Sequence, residues 1–173
     1  MFKGINVSRS PITHIDVYNP VSIGASYTHI ESLEKVIGPD TKKIVMYHSY
    51  ITSLVGLEKS DHLEMVYMGF NRIYSFREED SNIKNIDVLD LAGNPITSLV
   101  NCPPCKTLIV SATKIKNLIG CPNTVEIIRC GHSDYITSLI GCPPSVKLIE
   151  CSCAPNLLIE NMHLPDNVEL LHD

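Results

Sequence analysis

The stretch Ile136-Thr-Ser-Leu-Ile-Gly-Cys-Pro-Pro-Ser-Val-Lys-Leu-Ile-Glu-Cys151 recurs, shortened or distorted, almost to the start of the chain. Its head, Ile-Thr-Ser-Leu, is repeated at Ile51, Ile96 and Ile136, with variants beginning at Ile12, Ile30, Ile73 and Ile115. Each copy follows a strand-like segment of the form apolar-x-x-apolar-x-apolar, as in Leu63/Val66/Met68, Ile86/Leu89/Leu91, Cys105/Leu108/Val110 and Val146/Ile149/Cys151. Taking the middle apolar residue as a register mark gives Ile5, Val21, Ile44, Val66, Leu89, Leu108, Ile128, Ile149 and Leu171, spaced 16, 23, 22, 23, 19, 20, 21 and 22 residues apart. A repeat near 20 residues marks a solenoid, in which each unit is one coil and buries its apolar face only by stacking on the next.

At Ile86-x-x-Leu89-x-Leu91-x-x-Asn94-x-Ile96 and Leu63-x-x-Val66-x-Met68-x-x-Asn71-x-Ile73 the pattern resembles a leucine-rich repeat over essentially the whole chain. The C-terminal order, Thr-Ser-Leu then Cys-Pro-Pro then strand, is similar to the short bacterial-effector subclass. The composition and the degenerate Cys-Pro-Pro units also resemble leucine-rich proteins of large DNA viruses of amoebae. The resemblance implies an α/β repeat solenoid: a curved right-handed superhelix with about nine short parallel strands on its concave face and irregular or 3-10 convex segments. It also implies that Asn71 and Asn94 bond backbone groups where the chain leaves the strand. Ser10, Ser26, Ser49 and Thr113 take that place in other units, and the units containing Cys130 and Cys151 carry about one extra loop residue.

The 173 residues suit a single domain spanning 1–173, with no low-complexity tract or linker. Met1-Phe-Lys-Gly-Ile5 lacks a secretory apolar core, and nothing approaches the ~20 apolar residues of a membrane span. The expectation is a soluble, intracellular, cytoplasmic protein, in the host cell if viral. A net charge of -5 with fourteen scattered Lys and Arg residues argues against nucleic acid, which calls for a basic stripe.

Cys102-Pro-Pro-Cys105 has metal-ligand spacing, but the repeat gives these residues another role. Cys102, Cys121 and Cys142 share one repeat position, where earlier units have Val36 and Leu57, and Cys105 stands where others have Leu63, Ile86, Val125 and Val146. They read as a structural column of small hydrophobes. His132 and Cys153 fall at equivalent positions past neighbouring strands, with Asp134 close by, yet two or three such ligands do not make a site. No phosphate loop, nucleophile elbow or paired-histidine motif occurs. The seven histidines are expected to converge on no rim. The reading is therefore a non-enzyme without metal or cofactor.

What remains is the exposed sheet face. If the register marks point inward, their neighbours point outward. The central outward column then reads Asn6, Ser22, Val45, Tyr67, Asp90, Ile109, Arg129, Glu150 and His172. An apolar column of Met65, Val88, Ile127, Leu148 and Leu170 lies on one side of it, and Tyr47 with small residues on the other. Apolar and aromatic groups beside Asp90, Arg129 and Glu150 have the composition of a protein interface, although β-branched residues also follow from strand propensity alone. The expected function is recognition of a protein partner through this face. The alternative is self-assembly into a dimer, through the C-terminal edge strand or the concave face.

Overall fold

A computed structural model describes residues 4–84, 86–159 and 164–172. Nine strands, β1 (Ile5–Asn6), β2 (Ser22–Gly24), β3 (Lys43–Val45), β4 (Met65–Tyr67), β5 (Ile86–Asp90), β6 (Cys105–Ile109), β7 (Ile127–Arg129), β8 (Leu148–Glu150) and β9 (Glu169–Leu171), pair in chain order into one parallel sheet. Each strand touches only its immediate neighbours among the strands. The chain is thus a β-solenoid, since a parallel neighbour is reached only by a crossover and here every crossover is one coil.

Among the described residues the crossovers contain two 3-10 turns, Leu57–Lys59 and Glu78–Asn82, and no α-helix. The expected irregular and 3-10 crossovers are thus present, and the α/β label narrows to an almost helix-free β-solenoid. Prolines at 103, 104, 122, 143 and 144 remove backbone donors from the return segments, which holds them extended or turned.

The paired residues form an unbroken row: Ile5, Ile23, Ile44, Val66, Leu89, Leu108, Ile128, Ile149 and Leu170. Two register marks differ from the sequence reading. In the second coil the mark is Ile23, not Val21, because the true triplet is Pro20/Ile23/Ala25, and Val21 with Ile23 imitates it two residues early. In the last coil Leu170 turns inward instead of Leu171. Periodicity cannot choose between adjacent leucines, and the pairing leaves Glu169 and Leu171 facing solvent.

From Ile44 to Ile149 this row is fully buried, and so is a second inner row of Met46, Met68, Leu91, Val110, Cys130 and Cys151. The isoleucines and leucines of the Ile-Thr-Ser-Leu segments close the core from the opposite side. Each such side chain contributes about 1.5–3 kcal/mol when removed from water, and only the stacking of coils removes it. The Ser of the motif has a local task. Side-chain oxygens of Ser32, Ser98, Asn117 and Ser138 accept the N–H two residues on, at 3.1–3.2 Å, and hold the turn that drops the following Leu into the core.

Cys102 and Cys121 are buried in one column and Cys142 is half-buried beside them. Burial pushes the Cys102, Cys121 and Cys142 thiols above their ordinary range and raises Cys105 to about 12. Cysteine here fills apolar space and carries little thiolate.

At the end of each strand the coil turns a corner, and the residue four past the register mark is left-handed every time. Arg9, Tyr27, His48, Phe70, Gly93, Ala112, His132 and Cys153 have φ between 52° and 68°. The following residue points inward and is usually polar: Thr28, Ser49, Asn71, Asn94, Thr113 and Ser133 are all buried. Thr28, not Ser26, therefore holds this place in the second coil. Ser133 holds it in the longer coil, whose extra residue falls after it.

Asn94 shows what the position does. Its amide donates to the carbonyls of Leu91 in its own coil and Met68 in the previous one, at 3.0 and 2.8 Å, while its oxygen accepts the Ile73 N–H at 3.0 Å. Asn71 repeats this with Met68, Met46 and the Ile51 N–H. Thr113 and Ser133 donate single hydrogen bonds to carbonyls, of Val110 and Thr113 respectively.

Asn94→Ala should destabilise the protein by roughly 1–3 kcal/mol, because buried backbone groups of two coils lose partners at once. A denaturant midpoint equal to wild type would show that these bonds are dispensable. The raised Cys105 pKa makes a second expectation. Folding holds the thiol proton more tightly than the unfolded chain does, so its contribution to stability is complete below pH 9 and is lost as pH climbs to about 12. Cys105→Val should flatten the fall in stability over that window relative to wild type, measured by urea unfolding at successive pH values.

Candidate functional site

The site is built from residues that alternate with the buried row. In a strand, neighbours of an inward side chain point outward, so the open face carries two columns along the strands and a third where they end. Met65, Val88, Ile127 and Leu148 lie in the first, with Thr107 between Val88 and Ile127. Val45, Tyr67, Asp90, Ile109, Arg129 and Glu150 form the central column, on six consecutive strands. Tyr47 belongs to the third, followed by Gly69, Ala92, Ser111, Gly131 and Ser152. The two register shifts change only the ends: Gly24 replaces Ser22, and Leu171 replaces His172, in the central column, while Glu169 replaces Leu170 in the first.

The face holds several of its polar groups in internal contacts. The Tyr47 hydroxyl donates to Asp90 Oδ2 at 2.7 Å, and Asp90 Oδ1 accepts the Ala92 N–H at 2.9 Å. Asp90 is accordingly buried and does not project to solvent as expected. To reach it the Tyr47 ring crosses Gly69, where a Cβ would stand 2.9 Å from a ring carbon, so glycine is required there by close approach. Burial, then the hydrogen bond to Asp90, pushes the Tyr47 phenol well above its ordinary pKa. Arg129 Nε donates to Glu150 Oε2 at 2.5 Å on the next strand. The apolar members Val45, Val88, Ile109, Ile127 and Leu148 are half-buried, and Met65 is exposed.

A second group escaped the sequence reading. At the corners of the second to fourth coils Tyr27, His48 and Phe70 stack, with centroids 4.9 and 4.6 Å apart and planes within 14°. The Phe70 ring then covers Gly93, where a Cβ would lie 2.5 Å from it. Two residues further on, His29 stacks on Tyr50 at 5.2 Å, and the Arg72 guanidinium carbon sits 3.9 Å from the Tyr50 centroid. Tyr27 and Phe70 are about half exposed. His29 and His48 thus do share one rim, against expectation. Placing the second register mark at Val21 moved Tyr27 and His29 out of line with His48 and Tyr50. The readable signal was an aromatic or histidine at two fixed offsets in successive coils.

His132 and Cys153 occupy adjacent corners further along. Among the described residues no three His, Cys, Asp or Glu side chains form a group able to hold a metal ion. No described helix is long and apolar enough to cross a membrane. No protein-family model matches the chain, and no curated protein matches it.

The Tyr47–Asp90 contact gives a direct expectation. Tyr47→Phe leaves a buried carboxylate short of one donor and should lower stability by about 1.5–3 kcal/mol, the range for hydrogen bonds to charged groups. Thermal unfolding at pH 7 checks this, and an unchanged midpoint would mean that water replaces the phenol without cost.

Proposed function

We propose that the chain is a degenerate leucine-rich-repeat solenoid and that it acts as a non-enzymatic recognition module, binding a protein partner through the open face over β3–β8. The pattern from Ile86 to Ile96, with its buried Asn94 bonding two coils, supports the leucine-rich assignment. The observation that carries the function is the face itself. Six consecutive strands present Val45, Tyr67, Ile109 and Arg129 in one column beside an apolar one, and no described element lies over them.

The arrangement is prepared for binding. Tyr47–Asp90 and Arg129–Glu150 fix side chains whose rotamers would otherwise have to be frozen on association, which lowers the entropy cost. Tyr and Arg are also the residue types whose truncation most often costs more than ~2 kcal/mol of binding. The six strands and three columns measure roughly 24 Å by 13 Å, compact for a standard interface of about 800 Å² per partner. Contacts beyond the columns are therefore part of the reading.

Capture of the partner from the cells in which the protein occurs should be lost in Tyr67→Ala/Arg129→Ala. Each change should cost under about 1 kcal/mol of stability, since both side chains lie on the open face. Equal capture by wild type and the double variant would remove this face from consideration. Self-assembly through β9 is distinguished by mass: a molecular weight that rises with concentration and returns to monomer in Leu171→Lys would favour it.

A further inference from the structure

The two stacks at the corners of the second to fourth coils have a charge character unlike the rest of the chain. The corner position and the one two residues on contribute Arg9, His29, His48 and Arg72 across the first four coils, and no carboxylate. The whole chain carries -5. Of the acidic residues near in register, Asp90 is buried and bonded by Tyr47 and the Ala92 N–H. Glu31 instead lines a cleft with Glu34 and Lys35, between residues 13–18 and 31–36 of the first two crossovers.

Arg72 is the centre of this edge. Its guanidinium is laid against the Tyr50 ring, which orients its plane. Arg77 is paired with Asp80 and Arg129 with Glu150, but the Arg72 side chain has no ion pair or hydrogen bond among the described residues. A planar fork of donors held in place and left unpaired suits a carboxylate or phosphate oxygen pair. The neighbouring rings narrow the choice of partner. Beside Arg72, Phe70 lies between His48 and Gly93, and His48 between Tyr27 and Phe70, so the broad faces of Phe70 and His48 are occupied and their edges meet solvent. Ring edges carry the positive end of the aromatic quadrupole and favour anions. Nucleic-acid bases need open ring faces on which to stack.

We propose that this edge docks an acidic peptide segment of the protein partner, with one side-chain anion seated on Arg72 beside Phe70. The inference rests on the protein-recognition reading above and supplies the partner's chemistry: a segment bearing carboxylate or phosphate groups, lying next to the apolar face.

The test uses the full chain, isotope-labelled for amide spectra, titrated with ten-residue peptides rich in glutamate, in phosphoserine or in lysine, and with a ten-nucleotide thymidine strand. The glutamate or phosphoserine peptide should shift the amides of His48, Phe70, Arg72 and Gly93. Its affinity should fall about tenfold or more in Arg72→Gln, the loss of a charge-assisted hydrogen bond, with the remaining spectrum unchanged. Whichever of the two binds tighter identifies the anion. The proposal is overturned by no shift at millimolar peptide, by equal binding to Arg72→Gln, or by preference for the nucleotide strand or the lysine peptide. If the corner stays silent while Tyr67→Ala/Arg129→Ala still loses the native partner, this inference fails and the recognition face stands. If the peptide binds as expected while the double variant keeps its partner, the face is misplaced and the edge stands.

Discussion

Each coil has to leave the sheet through a left-handed residue and then find partners for the backbone groups that this bend exposes. A left-handed conformation costs a non-glycine residue on the order of 1 kcal/mol, and seven of the eight corner residues are not glycine. At six of the eight corners the next residue is buried and polar and bonds its own coil or an adjacent one, which holds the bend. Asparagine does this best, with donors for two carbonyls and an acceptor for one N–H. Thr113 and Ser133 make fewer bonds with a shorter side chain, whereas Ser49 reaches both the Ala25 carbonyl and the Thr28 N–H. The apolar rows supply most of the free energy, but they could slide along one another; the corner fixes where each strand ends.

The rest of the register is reinforced at the other end of the strands. Lys42–Glu64, Lys106–Asp87 and Lys147–Glu126 pair across neighbouring coils at 2.5–2.9 Å. These pairs are exposed and contribute little stability individually, yet a slip of one residue would also turn every inward side chain outward. Charge pairing and burial agree on one alignment. The same alignment brings Tyr27 over His48 and His48 over Phe70, so the aromatic edge is a product of the stacking and not a separate motif.

Much of this was legible in the residues. The apolar triplets place seven of the nine strands in correct register, and the central column from Val45 to Glu150 emerges in its true order. What escaped reading has definite causes. Pro20 and Ala25 serve as core residues in the second coil but do not look apolar enough beside Val21. Leu170 and Leu171 are equivalent to any periodic pattern. The burial of Asp90 depends on a Tyr47 ring reaching across Gly69 from two strands away, and no local rule predicts a bond spanning 43 residues of chain. The non-helical return segments were legible in their prolines, as the resemblance to the short proline-rich repeats also implied.

The unequal strand lengths bear on how the chain reaches this state. β5 and β6 are five residues each, the longest in the sheet, and they sit side by side at its middle. All strand partners are separated by about one coil of chain, so no distant closure has to precede the first gain. Assembly from the β5–β6 pair can therefore spread toward either end one coil at a time, each new coil finding a finished template. Amide exchange should be slowest at Leu89 and Leu108 and quicken coil by coil outward, so that the aromatic edge locks from its fourth-coil end toward the second.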